Sequence, residues 1–90
     1  SSNSWRLELI KSCEASSPKE FWYDQDEHEW VVILQGTATL TFKERKESVE
    51  LNPGDHIYIP PRMLHRVEHT DAAPGTTWLA LFWKEVNKQL

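Results

Sequence analysis

One cysteine, three glycines and no long apolar run stand in a sequence of 90 residues. The lone Cys13 closes no disulfide within the chain and supplies no thiolate framework for a metal. Apolar stretches fall far short of the roughly 20 residues that cross a membrane, and no secretory leader is visible, so a soluble, cytoplasmic protein is expected. Basic charge is also short, since 10 Lys and Arg face 14 Asp and Glu for a net charge of −4. Nucleic acids and anionic membrane surfaces need clustered Lys and Arg, so neither is an expected partner. Nucleophile constellations, glycine-rich phosphate loops and Cys–His clusters are missing as well. Ser1 to Ser4 read as an added or frayed end.

Aromatic residues are plentiful by contrast. Five tryptophans, Trp5, Trp22, Trp30, Trp78 and Trp83, are spread along the chain. A chain this short buries a small share of its surface, and large aromatic side chains offset part of that deficit. No repeat or linker divides the sequence, so residues 1–90 read as a single domain.

Period-2 alternation dominates and helical spacing is scarce. Thr37 to Phe42 alternates polar and apolar side chains, Lys43 to Lys46 reads as a hairpin turn, and Val49 and Leu51 continue on the next strand. Arg6 to Ile10 alternates similarly. His56 to Ile59 lies between the breakers Asn52-Pro53-Gly54-Asp55 and Pro60-Pro61. Leu64 to Thr70 and Thr76 to Lys84 follow, with Val86 to Leu90 a short helical turn or a tail. About eight short strands at regular spacing predict an all-β sandwich or barrel. Trp30 to Leu34 and Trp78 to Trp83 are apolar on both faces, which a single interior does not require. Their outward faces are expected to meet a second copy of the chain in a homodimer.

Two stretches carry the chemistry. The first runs from Trp22 to Gly36 and contains Glu29, then six residues, then Gly36. The second contains Gly54, five residues, Pro60, and His65 five positions later. In these spacings the sequence resembles the cupin superfamily, over residues 22 to about 69. The resemblance implies a small jelly-roll barrel, or double-stranded β-helix, over about residues 5–84. It also implies a metal held inside by two histidines, the motif-one glutamate and a motif-two histidine. Glu29 and His65 match the last two. The histidine pair has no counterpart, its positions holding Tyr23 and Gln25 in one spacing or Trp22 and Asp24 in the other. Arg62 replaces the motif-two glycine, and His69 replaces the asparagine that often follows.

A catalytic metal generally takes three protein ligands. Glu29 and His65 make two, and either Asp24 or Gln25 is a candidate third, a mixed oxygen–nitrogen set for a divalent ion such as Mn, Fe, Ni or Zn. A ligand site without a tightly held metal uses Glu29, His65, Gln25, Tyr23 and Tyr58, the tyrosines placing hydroxyls at the rim. A buried Glu29 needs a metal, a proton, or a partner such as His65 or Arg62. Among the other histidines, His69 shares a strand face with His65 but lies about 13 Å along it, at the rim. His28 is expected in a solvated turn spanning Asp26 to His28, and His56 in local hydrogen bonding.

The preferred function is small-molecule binding inside the barrel, polar at Glu29 and His65 and apolar along tryptophan-rich walls. Its rivals are a divalent-metal-dependent enzyme of dioxygenase, isomerase or decarboxylase type, and a non-enzymatic dimerisation module with a filled interior. The fold alone leaves enzymatic status open.

Overall fold

A computed structural model describes residues 4–18, 20–45 and 47–84. Seven strands appear in it: β1 (Ser4–Ser12), β2 (His28–Gln35), β3 (Ala38–Phe42), β4 (Ser48–Leu51), β5 (His56–Ile59), β6 (His65–Thr70) and β7 (Thr76–Lys84). No helix of the described residues is long and apolar enough to cross a membrane. The helical turn or tail expected over 86–90 lies outside the described residues, as do 1–3. Ser4, expected in a frayed end, opens β1 opposite Lys84.

The strands form two antiparallel sheets, of order β1-β7-β2-β5 and β4-β3-β6. Seven strands stand where about eight are expected. Between β1 and β2 the described residues add only an isolated bridge from Tyr23 to His65. Pro18 lacks an N–H there, and Glu20 sits at φ 67°, so extended pairing cannot run through the segment. The segment instead holds the edge of β6 by single hydrogen bonds. Glu14 N–H donates to the Asp71 carbonyl at 2.8 Å, and Ser17 N–H to that of Val67 at 2.8 Å. Ser17 Oγ accepts from Val67 N–H at 3.0 Å.

Alternation sorts each strand into two faces. Val31 and Ile33 of β2, Ala38, Leu40 and Phe42 of β3, and Trp78, Ala80 and Phe82 of β7 form one buried core with Leu51 and Ile59. In β6 the alternation breaks. The register with β3 shifts between Thr39 and Leu40, which pair with His69 and Val67. The extra residue is a β-bulge, and past it Thr70 rather than His69 turns inward, fully buried. His65 and His69 therefore do not share a face, and His69 is exposed.

Two backbone positions anchor the turns. Gly36, after β2, has φ 77°, and a Cβ there would lie 2.5 Å from the Gly75 carbonyl oxygen. Only glycine fits such an approach. Arg62 has φ 66° at the position where the related pattern carries glycine. The turn geometry is kept although the residue suited to it is absent, at a cost of about 1–2 kcal/mol. Arg62→Gly is therefore expected to raise the unfolding free energy by up to about 1 kcal/mol in a urea titration, glycine's greater chain entropy offsetting part of the relief. A net loss of stability would contradict this account of the turn.

Candidate functional site

Glu29 occupies an inward position of β2, two residues before Val31, opposite Ile59 on β5 and Phe82 on β7. Alternation thus delivers a carboxyl group into the core layer, and the side chain is only 14% exposed. From the other sheet, His65 opens β6 opposite Phe42 and is 6% exposed. The two meet inside the molecule, His65 Nε2 lying 3.9 Å from Glu29 Oε1.

The imidazole is fixed on its far side. His65 Nδ1 lies 2.9 Å from the Met63 carbonyl oxygen. A carbonyl only accepts, so Nδ1 carries the proton, and in the neutral ring Nε2 keeps its lone pair toward Glu29. Tyr23 brackets the ring, stacked at 5.6 Å between centroids and joined to His65 through both backbone hydrogen bonds. Gln25 completes the cluster, its Nε2 donating to Glu29 Oε1 at 2.9 Å. The Arg62 N–H in turn donates to the Gln25 carbonyl at 2.7 Å, so the left-handed turn positions the amide.

Burial pushes the Glu29 carboxyl above its ordinary value, and the Gln25 hydrogen bond opposes that rise in part, as would His65 if it took up a proton. The neutral acid is thereby favoured over its ordinary population. Around the pair lies a cavity of about 340 Å³, whose walls include Val31, Leu40, Ile59, Val67, Trp78 and Phe82, with Ser16 and Ser17 along one side. Side chains do not fill this interior, contrary to the module reading. The Trp78 indole N–H is buried and meets no acceptor among the described residues.

Other expected site residues lie elsewhere. Asp24 does not line the cavity; its carboxylate is half-exposed and accepts from Arg62 Nη1 at 3.3 Å. Arg62 is therefore not the partner of Glu29. Tyr58 faces the opposite side of its strand from Ile59, is exposed, and its hydroxyl lies 2.6 Å from His28 Nδ1. His28 belongs to β2 rather than a turn and stacks on Trp83 at 4.9 Å. His56 pairs across strands, accepting from Trp30 Nε1 at 3.1 Å, instead of locally. Trp78 supplies the one tryptophan among the described lining residues of the walls expected to be rich in it, whereas the serine segment and Phe82 were not foreseen as lining. Alternation marks Trp78 and Phe82 only as core, and the serines lack any periodicity.

Among the described residues no three His, Cys, Asp or Glu side chains gather to hold a metal ion. Gln25 turns its amide nitrogen, not its oxygen, to Glu29. Two ligands fall short of the three of a catalytic centre, so these residues do not fit the family's metal.

A model of the cupin domain matches residues 14–82. Among solved structures, a Ralstonia eutropha protein provisionally assigned as a mannose-6-phosphate isomerase superposes with a TM-score of 0.86 at 33% identity, over 90% of this chain and 75% of its own. A cupin-2 domain protein of Shewanella frigidimarina gives 0.67 at 18% identity, over 86% and 68%. The DMSP lyase DddQ of Ruegeria pomeroyi gives 0.69 at 19% identity, over 98% and 41%. At those lower identities the likeness is one of fold alone. No curated protein matches the chain.

Glu29 supplies a test of this electrostatic picture. As pH rises above the ordinary carboxyl value of 4.5, the unfolded chain releases this proton before the folded one, so the group's contribution to stability falls. Glu29→Gln keeps the shape and a hydrogen-bonding oxygen without the ionisation. It is expected to melt higher than wild type at pH 7 and to lose that lead toward pH 4. Equal melting temperatures across the range would refute the burial argument.

Proposed function

The chain belongs to the cupin superfamily, and from that premise we propose that it binds an uncharged small molecule in the cavity between its sheets, one polar group of the ligand held by Glu29 and His65. The observation that carries this reading is the 3.9 Å gap between Glu29 Oε1 and His65 Nε2. It is too long for a direct hydrogen bond, yet one hydroxyl or amine can sit within about 2.8 Å of both atoms. Such a group donates to one partner and accepts from the other, or donates to both. The apolar walls take the rest of the molecule, and the volume lies at the small end of the range for ligand pockets. A reducing, cytoplasmic setting agrees with the exposed free Cys13.

A sugar phosphate, suggested by the name of the Ralstonia protein, fits this cavity poorly. No Lys or Arg stands among the described residues lining it, and Glu29 would repel a dianion. Enzyme action is a second reading, favoured by the same pair: Glu29 as a carboxyl of raised proton affinity and Nε2 as an open base are an acid and a base facing one ligand atom. The isomerase label of the Ralstonia protein suits proton transfer of that kind. A jelly-roll barrel without a complete four-ligand metal site remains the architecture both readings assume.

p-Cresol, 2-phenylethanol and mannose 6-phosphate separate the possibilities by thermal shift and by NMR of the His65 ring. One or both of the uncharged hydroxyl compounds are expected to raise the melting temperature and move the His65 signals in wild type, and to leave the melting temperature of His65→Leu unchanged. Mannose 6-phosphate is expected to leave the His65 signals of wild type and the melting temperatures of both proteins unchanged. Binding of the phosphate alone would overturn the proposal. Elemental analysis of untagged protein is expected to find manganese, iron, nickel and zinc well below stoichiometry. A full equivalent of one of them, lost in Glu29→Ala, would replace this reading with a metal enzyme.

A further inference from the structure

The cavity runs along the strands as well as between the sheets. Phe82 stands opposite Glu29, while Trp78 stands opposite Ile33, four residues or about 13 Å further along. Both aromatic residues line the cavity, so its far end lies well away from the Glu29–His65 pair. Ile10 pairs with Trp78 there, and Ser12 and Ser16 add two hydroxyls to the same stretch of wall. Val31 and Leu40 make the wall between the two ends apolar.

The two ends differ in chemistry. Glu29 and His65 present a carboxyl and a ring lone pair to one ligand atom. The far end presents hydrogens, from serine hydroxyls and from an indole that can only donate. Trp78 is 6% exposed, and its N–H meets no acceptor among the described residues. A buried donor left unpaired is costly, and this nitrogen lies too deep in the wall for solvent to relieve it.

We propose that the ligand has two polar ends, a hydroxyl between Glu29 and His65 and a neutral carbonyl oxygen that takes the Trp78 N–H. This rests on the reading of the cavity as a ligand site and adds a second anchor to it. The indole turns toward the cavity as the oxygen arrives. A hydrogen-bond length at each end leaves about 7 Å between the two ligand oxygens. A phenol carrying a short carbonyl side chain opposite its hydroxyl has that reach. Tyr23, Phe82 and Trp78 along the cavity suit a flat ring. The ligand class is therefore a hydroxyaryl ketone, ester or amide. A carboxylate suits the far end badly, because no Lys or Arg among the described residues lines the cavity.

Titration with 4-(4-hydroxyphenyl)butan-2-one, 4-butylphenol and 3-(4-hydroxyphenyl)propanoate tests this, read by NMR of the Trp78 indole N–H and the His65 ring. The ketone is expected to move the His65 signals and to send the indole N–H downfield. It is expected to bind about fivefold tighter than 4-butylphenol, the worth of one net hydrogen bond. 4-Butylphenol is expected to move His65 without the downfield indole shift, and the propanoate to bind more weakly than the ketone. Trp78→Phe is expected to abolish the ketone's advantage, and the wild-type indole signal reads the contact even where that variant fails to fold. Equal binding of ketone and 4-butylphenol, with His65 moved by both and the indole unmoved, overturns the second anchor and leaves the cavity reading standing. His65 signals unmoved by all three compounds overturn both. Propanoate binding more tightly than the ketone overturns the neutral carbonyl.

Discussion

Glu29 stands in β2 in line with Val31 and Ile33, so its carboxyl shares a wall with side chains that offer it no hydrogen bond. Much of the site follows from that position. A carboxylate withdrawn from water is costly unless something compensates it, and two polar groups approach: the Gln25 amide at 2.9 Å and the His65 imidazole at 3.9 Å. Neither is a fixed cation. The result is a carboxyl of raised proton affinity beside a ring nitrogen with a free lone pair, in a cavity walled by hydrocarbon. An apolar residue at position 29 would remove the penalty, and the polarity kept there is what the proposed ligand would use.

The compensating groups are placed by irregular backbone. The segment from Glu14 to Tyr23 runs along β6 on separate hydrogen bonds, which brings Tyr23 against His65 and leaves Gln25 beside Glu29. The turn at Arg62 then fixes the Gln25 carbonyl and leads, through Met63, to the carbonyl that sets the His65 tautomer. Three unusual φ angles, at Glu14, Glu20 and Arg62, fall in or beside these connections. Strain is concentrated next to the cavity, where positioning matters most.

Alternation made most of the fold legible in advance. β5 and β7 match their expected limits, and Glu29 and His65 were both expected inside because their spacings resemble a known pattern. Where alternation fails, so does legibility. Tyr58 was expected at the rim, but the buried Ile59 beside it sends Tyr58 outward. Asp24 and Gln25 are neighbours of similar polarity, and only the three-dimensional path shows that one meets Arg62 while the other meets Glu29. His28 looked solvated because Asp26 and Glu27 precede it, although strand pairing begins at His28 itself. The two doubly apolar strands gave a sound clue to the bare outer surface of the larger sheet, since hydrophobic character on both sides needs no structural context to be noticed.

The bulge near His69 works as a change of phase along β6. Before it, odd-numbered side chains point to the interior; after it, Thr70 takes that role, its hydroxyl linked to both backbone groups of Ala15. The strand can thus present an imidazole to the cavity at one end and fasten the serine-rich wall at the other, two tasks that a regular repeat would assign to opposite sides. A relative lacking the additional residue would keep its histidine in place while losing the anchor for that wall. Differences in cavity shape could then arise among related proteins whose polar centres are identical.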